Sequence, residues 1–260
     1  HAADGTEKRR MDYLFATWAH RFGQFYENGY DDEFRLLGTT CKVMGSGKQG
    51  FVVSFYPKHY LGIDDDEARR AKILADIKKK KQLIDAMAEY GIFTLPLLHP
   101  VNPLTEEIKP RAVELVTMLV NGLADRSLVW TYGDEQIYGG IEVEDMDRTK
   151  TEDGAKIMRW GYPGSARKYI EDYMVLYDAM KQAQPDAIIG FNSASHGNGN
   201  VMRLLMAAGA EGKFDMFGCN MFMSPFSIWP PSIEVMKQNG MDPNSIWLFG
   251  HNFGGIIRTD

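Results

Sequence analysis

The stretch Ser127–Gly140, SLVWTYGDEQIYGG, decides how the fold of this chain is interpreted. It opens with an apolar run, LVW, which predicts a buried strand. The predicted strand ends at Gly133, and two carboxylic acids, Asp134 and Glu135, follow directly. Two acids at the end of a buried strand raise the question of what else lies at the strand ends of this fold.

Short apolar segments alternate with amphipathic helical segments along the rest of the chain. Such alternation predicts an α/β fold, in which a parallel sheet is covered by helices on both faces. The predicted strands are 34–43, 51–56, 92–99, 128–132, 187–191, 214–222 and 246–250. The predicted helices are 9–28, 64–90, 106–123, 165–182, 201–208 and 233–239.

A closed barrel explains the sequence better than a doubly wound sheet. A dinucleotide-binding sheet needs a glycine-rich turn between a strand and a helix. The nearest candidate, GSGKQG at 45–50, precedes a strand and predicts a hairpin turn instead. Polar residues recur at the predicted strand ends, and a (β/α)8 barrel gathers such positions into one mouth. They are His99, Asp134, Glu135, Asn192, Asn220, His251 and Asn252.

We therefore predict one (β/α)8 TIM-like barrel domain over residues 1–260. The chain ends directly after the seventh predicted strand, so the closure between strand eight and strand one stays open at this stage. A piece of a longer polypeptide and an unusually short barrel are both consistent with this ending.

Composition narrows the function classes. The chain has 260 residues, 44% of them hydrophobic and 25% charged, with a net charge of −6. The negative charge argues against general nucleic-acid binding. No apolar run reaches the ~18 residues of a membrane span, and two cysteines make no disulfide framework. We predict no metal and no cofactor, and the sequence leaves the oligomeric state open.

The order of these features resembles the clan A retaining glycoside hydrolases, which are (β/α)8 barrels. The motif YGDEQ occupies the place of the family's strand four, KFDMFGCNMF that of strand six and IWLFGHNFGG that of strand seven, over roughly Gly91–Gly255. The resemblance implies a carbohydrate substrate, an oligo- or polysaccharide, with Glu135 as the general acid/base and Asp134 in place of the family's Asn. The resemblance alone favours a secreted or periplasmic protein.

The chain departs from the family at the nucleophile, a Glu at the end of strand seven. Here that place holds Gly250 or Asn252, depending on how the motif is aligned. Three explanations stay open: Asn252 replaces an acid, the protein binds sugar without cleaving it, or the loop after strand four supplies another acid. The candidate acids of that loop are Glu142, Glu144, Asp145, Asp147, Glu152 and Asp153.

Two sets of side chains extend the candidate site. Trp229 lies in SPFSIWPPS, predicted to be a loop that presents the indole to a sugar ring, and the loop after strand four adds Tyr138, Trp160 and Tyr162. Polar contacts to sugar hydroxyls are predicted for His99, Asn192, His196, Asn220 and His251. A rival interpretation, a metal-dependent barrel hydrolase, uses His99, His196 and His251 with the acids as ligands, although no His-x-His spacing supports it.

Overall fold

The computed structural model describes part of the chain as a closed parallel barrel. The described residues are 14–17, 49–89, 93–101, 103–133, 136–137, 141–147, 162, 164–194, 199–220 and 225–251. Within them, the strands are β1 (Leu14–Thr17), β2 (Gln49–Phe55), β3 (Phe93–Leu98), β4 (Val129–Tyr132), β5 (Ile188–Ala194), β6 (Met216–Asn220) and β7 (Trp247–His251).

Helices alternate with these strands, so the predicted (β/α) barrel architecture is confirmed. The helices are α1 (Lys58–Leu61), α2 (Asp66–Glu89), α3 (Lys109–Leu123), α4 (Ala166–Ala183), α5 (Asn200–Ala207) and α6 (Pro225–Gln238), and two 3₁₀ turns span Val143–Asp145 and Pro243–Ser245. The predicted neighbours also pair in parallel: Val129 lies opposite Ile188 and Phe217 opposite Leu248.

The sequence did not determine how the barrel closes. In the structure, β1 pairs in parallel with both β2 and β7, and Ala16 lies opposite Gly50 on one side and His251 on the other. The seven described strands therefore form a complete ring in which every strand has two neighbours. This pairing leaves no open edge among the described strands.

The two faces of each strand build two parts of the core, because successive side chains alternate in direction. One set packs against the helices: Val53, Phe55, Leu98, Trp130, Tyr132, Ile189, Phe191 and Phe217. The alternate set fills the barrel and includes Leu95, Leu97, Val129, Thr131 and Met216, all buried. The barrel interior is thus a packed core, as in other barrels of this type, and binding is left to the rim.

Helix α4 packs behind β4 and β5 and begins at a well-defined cap. The Ser165 side chain accepts a hydrogen bond from the Lys168 backbone N–H (3.1 Å), which satisfies one donor of the first helical turn. Its buried face carries Tyr169, Tyr173 and Leu176, a stripe predicted by the spacing in the sequence. This helix therefore presents aromatic side chains to the end of β4.

Among the described residues, two segments differ from their predicted structure. Residues 14–17 form β1, although 9–28 was predicted to be a helix; pairing with two neighbouring strands outweighs the local pattern of a four-residue run. The SPFSIWPPS segment was predicted to be a loop, but it belongs to α6, which continues through Pro230 and Pro231. The two prolines remove N–H donors from the helix, while burial of Val235 and Met236 anchors it in the core.

Candidate active site

The chain leaves β4 at Gly133. This residue has φ of +85°, a left-handed conformation that disfavours any side chain. Its N–H donates to the Leu98 carbonyl of β3 (3.0 Å), and its carbonyl accepts from Asn192 Nδ2 of β5 (3.3 Å). The residue that precedes the two acids is therefore fixed to strands on both sides.

The three residues assigned a catalytic role, Asp134, Glu135 and Asn252, lie outside the described residues, as do Tyr138 and His196. For the acid pair, the structure defines the residues on either side, Gly133 and Gln136. Gly133 is buried and Gln136 is 4% exposed, so both residues that flank the acid pair in the sequence lie in the protein interior.

Three predicted binding residues occupy the carboxyl ends of neighbouring strands. Asn192 lies opposite Gly218, and two residues further on Ala194 lies opposite Asn220, which in turn lies opposite His251. Asn220 and His251 thus lie at the same level of the rim, two residues beyond the level of Asn192. The sequence prediction that these positions share one end of the barrel is confirmed.

His99 follows β3 on the other side of the mouth. Its backbone N–H donates to the Phe55 carbonyl (2.9 Å), and its imidazole stacks on the phenol ring of Tyr56, with centroids 4.0 Å apart and planes 11° from parallel. Both side chains are half-buried. Sequence reasoning missed Tyr56, although it follows β2 just as His99 follows β3.

Apolar side chains anchor the described part of the acidic loop after β4. Ile137, Ile141 and Met146 are buried, and the 3₁₀ turn between them carries the exposed Glu144. At either end of this turn, an exposed acid contacts a helix: Glu142 accepts from Asn200 Nδ2 of α5 (3.2 Å), and Asp147 from Arg167 Nε of α4 (2.8 Å).

Tyr162 was predicted to offer a surface to sugar rings, and this prediction is wrong. The side chain is 4% exposed, packs edge-on against Tyr169 with centroids 5.1 Å apart, and donates its hydroxyl to Asp172 Oδ2 (2.8 Å). Aromatic residues in a loop can be core residues as readily as binding residues, and the buried Asp172 provides the phenol with a partner. Tyr162 therefore fixes the far end of the acidic loop.

Asp172 of α4 connects two loops of the barrel mouth. Besides Tyr162, it accepts from the Leu104 backbone N–H (3.0 Å) and from Lys168 Nζ, which also donates to the Leu104 carbonyl (3.0 Å). Burial, followed by the charge of Asp172, raises the pKa of Tyr162 and of Tyr132 well above the usual phenol value, so both phenols stay protonated. One carboxylate thus joins the loops after β3 and β4 to the same helix.

We expect Asp172→Ala to lower the free energy of unfolding by about 2–4 kcal/mol, because it leaves a buried N–H and a buried phenol without an acceptor. Urea unfolding measures the loss. The matched control is Asp178→Ala on the same helix, whose exposed carboxylate pairs with Lys213 and is expected to contribute less than about 1 kcal/mol. Equal losses in the two variants would contradict a structural role for the buried carboxylate.

Trp229 lies in α6 rather than in a loop. Its predicted role as a sugar platform stays a prediction. Trp247, predicted to be part of a strand, lies in β7.

The rival metal interpretation finds no support in the described part of the chain. Among those residues, no group of three or more His, Cys, Asp or Glu side chains could hold a metal ion. The same residues include no helix with the length and apolar character needed to cross a membrane.

No protein-family model matches the chain, and no curated protein matches it. The chain is similar in structure to solved TIM-barrel glycoside hydrolases. A psychrophilic family 10 endo-β-1,4-xylanase superposes with a TM-score of 0.51 at 9% identity, over 94% of this chain and 88% of the xylanase. The β-1,4-D-mannanase of Cryptopygus antarcticus gives 0.49 at 12% identity, over 96% of this chain and 86% of the mannanase.

The endo-1,4-β-mannanase of Eisenia fetida gives a TM-score of 0.47 at 14% identity, over 77% of this chain. The chain spans 64% of that mannanase, less than two thirds of its length. At 9% identity, the likeness to the xylanase confirms the barrel architecture and concerns the fold alone.

Proposed function

We propose that this chain is a glycosidase-type barrel that acts on an oligo- or polysaccharide, with Glu135 as the general acid/base. The observation that carries the proposal is the end of β4. Gly133 is fixed between β3 and β5 at the carboxyl rim of a closed barrel, and the acid pair Asp134–Glu135 follows it in the sequence. Active sites of this fold are built from residues at that rim.

The chemistry requires a carboxylic acid at this position. A glycosidic oxygen is a poor leaving group, and a protonated carboxyl group must deliver a proton as the bond breaks. In our proposal Glu135 supplies that proton, and Asp134 lies next to it along the chain. The proposed sugar contacts are His99, Tyr138, Asn192, His196, Asn220, His251 and Trp229.

A retaining mechanism conflicts with the sequence at the end of β7, where its nucleophile is expected. Such a mechanism needs a second carboxylate about 5 Å from the first, yet β7 has the sequence WLFGH and is followed by Asn252. This sequence favours a second candidate function, a barrel that binds carbohydrate without cleaving it. The two functions share the binding site and differ only in turnover.

Turnover and binding can be measured separately on the chain as it is. Xylan and mannan oligosaccharides with β-1,4 linkages are suitable first probes, with reducing-end release reporting cleavage and calorimetry reporting binding. Binding without cleavage would establish the second candidate. Hydrolysis abolished by a chelator and restored by a divalent metal would replace both with the metal-dependent alternative.

If Asn252 stands in place of the nucleophile, Asn252→Glu or Asn252→Asp should raise the hydrolysis rate by at least about 100-fold, because a covalent intermediate then becomes accessible. Initial rates on an activated aryl glycoside measure the gain. Asn121→Asp, on the exposed surface of α3, is the control and should leave the rate unchanged. No gain in either Asn252 variant would exclude this residue as the replaced nucleophile.

A further inference from the structure

One phenol hydroxyl contacts the chain on both sides of the acid pair. The Tyr169 hydroxyl lies so close to Gly133 that a Cβ atom at that residue would overlap it. The same hydroxyl donates a long hydrogen bond to Gln136 Oε1 (3.4 Å). Gly133 immediately precedes Asp134, and Gln136 immediately follows Glu135. Gly133 and Gln136, the residues that flank the acid pair in the sequence, therefore both contact one oxygen atom, and we call the segment 133–136 the acid turn.

Tyr169 is itself firmly placed. Its side chain is fully buried on α4. Its ring packs edge-on against Tyr162 and Phe191, with centroids 5.1 and 5.7 Å away, and tilted against Tyr132 at 5.6 Å. Aromatic pairs at these separations and angles are favourable. Because these rings come from the acidic loop, β5 and β4, the hydroxyl is fixed relative to the strands that form the rim.

We propose that Tyr169 is a positioning residue that sets the geometry of the Asp134–Glu135 turn and, through it, the placement of the proton donor. This inference rests on the proposed function, in which Glu135 donates the proton. A general acid works only within hydrogen-bond reach of the leaving oxygen, and a displacement of about 1 Å can cost about 100-fold in rate. The two contacts of the buried Tyr169 hydroxyl with Gly133 and Gln136, which we call the clamp, supply the rigidity that this reach requires.

The same helix provides a matched control, Tyr173. This residue lies one helical turn further along α4, is fully buried, and packs against Tyr132 and Phe191 as Tyr169 does. Its hydroxyl has no hydrogen-bond partner among the described residues. Tyr173→Phe therefore removes a hydroxyl from the same aromatic cluster without touching the acid turn.

The first test compares substrates that differ in their leaving group. Tyr169→Phe keeps the ring and removes the clamp, so kcat for substrates with poor leaving groups should fall about 10- to 100-fold, with KM changed less than about twofold. Dinitrophenyl glycosides, which depart with little protonation, should lose far less. Tyr173→Phe should match the unmodified protein on both substrates. Equal losses on both substrates in Tyr169→Phe would indicate general damage and overturn the proposal.

The second test does not depend on catalysis. Hydrogen–deuterium exchange of the peptide spanning 127–141 should be faster in Tyr169→Phe than in the unmodified protein or in Tyr173→Phe, because the turn opens more readily without its clamp. Gln136→Met, which removes the acceptor instead of the donor, should accelerate exchange in the same peptide. Unchanged exchange in both variants would overturn the proposal.

The two tests distinguish failure of the positioning role from failure of the proposed function. If the protein hydrolyses no glycoside, yet exchange is faster in Tyr169→Phe and Gln136→Met and unchanged in Tyr173→Phe, the positioning role of Tyr169 is supported and the glycosidase function is refuted. If the protein is active and Tyr169→Phe changes neither the leaving-group dependence nor the exchange, the glycosidase function is supported and the positioning role of Tyr169 is refuted.

Discussion

Glu135→Gln is expected to lower the hydrolysis rate of substrates with poor leaving groups by about 10²–10⁴-fold, the contribution of a positioned general acid. The amide preserves the shape of the side chain and cannot release a proton to the glycosidic oxygen. Dinitrophenyl glycosides should lose much less, because their leaving groups depart with little protonation. Steady-state kinetics on the two substrate types measures this contrast, in the Asn252→Glu or Asn252→Asp background if the unmodified chain does not turn over.

Asp134→Asn is the matched control for this prediction. It makes the same change from acid to amide one residue earlier in the sequence. We expect its effect to be smaller and similar for both substrate types. If Asp134→Asn reproduced the leaving-group dependence and Glu135→Gln did not, the proton donor would be Asp134 and the assignment of Glu135 would be wrong.

The strand ends were predictable from sequence because the barrel gives each of them a simple signature. A short apolar run between two amphipathic helices predicts a buried parallel strand, and the polar residue that follows it marks the rim. Asn192, Asn220 and His251 were placed in this way, and the strand register confirms their common end. The rule fails for β1, which lies inside a segment with a helical pattern and whose pairing partners lie far away in the sequence.

Contacts between distant segments account for what the sequence could not predict. Tyr169 belongs to an apolar helical stripe, and nothing local distinguishes its hydroxyl from that of Tyr173. Its contact with Gln136 spans 33 residues and depends on how α4 packs behind β4. Asp172 likewise resembles an ordinary i, i+4 partner of Lys168, yet it is buried and also accepts a hydrogen bond from Leu104, 68 residues away.

Gly133→Ala is expected to destabilise the protein by more than about 4 kcal/mol. Few single substitutions cause so large a loss. Two costs combine. A left-handed backbone costs a residue with a Cβ roughly 1–2 kcal/mol, and the added methyl group would overlap the Tyr169 hydroxyl and press on the Asn192 carbonyl at 3.1 Å. Tyr169 is enclosed by aromatic rings and has little freedom to retreat. Urea or thermal unfolding measures the loss.

Gly209→Ala separates these two costs. Gly209 has φ of +75°, close to that of Gly133, and nothing lies within 4 Å of the position its Cβ would take. The control therefore isolates the backbone cost, and we expect a loss of only about 1–2 kcal/mol. Combining Gly133→Ala with Tyr169→Phe should recover part of the difference, since removing the hydroxyl removes the atom that the methyl group overlaps. If Gly133→Ala and Gly209→Ala lost equal stability and the double variant recovered none of it, the contact between Tyr169 and the turn would not constrain the chain, and the clamp on the acid pair would fail with it.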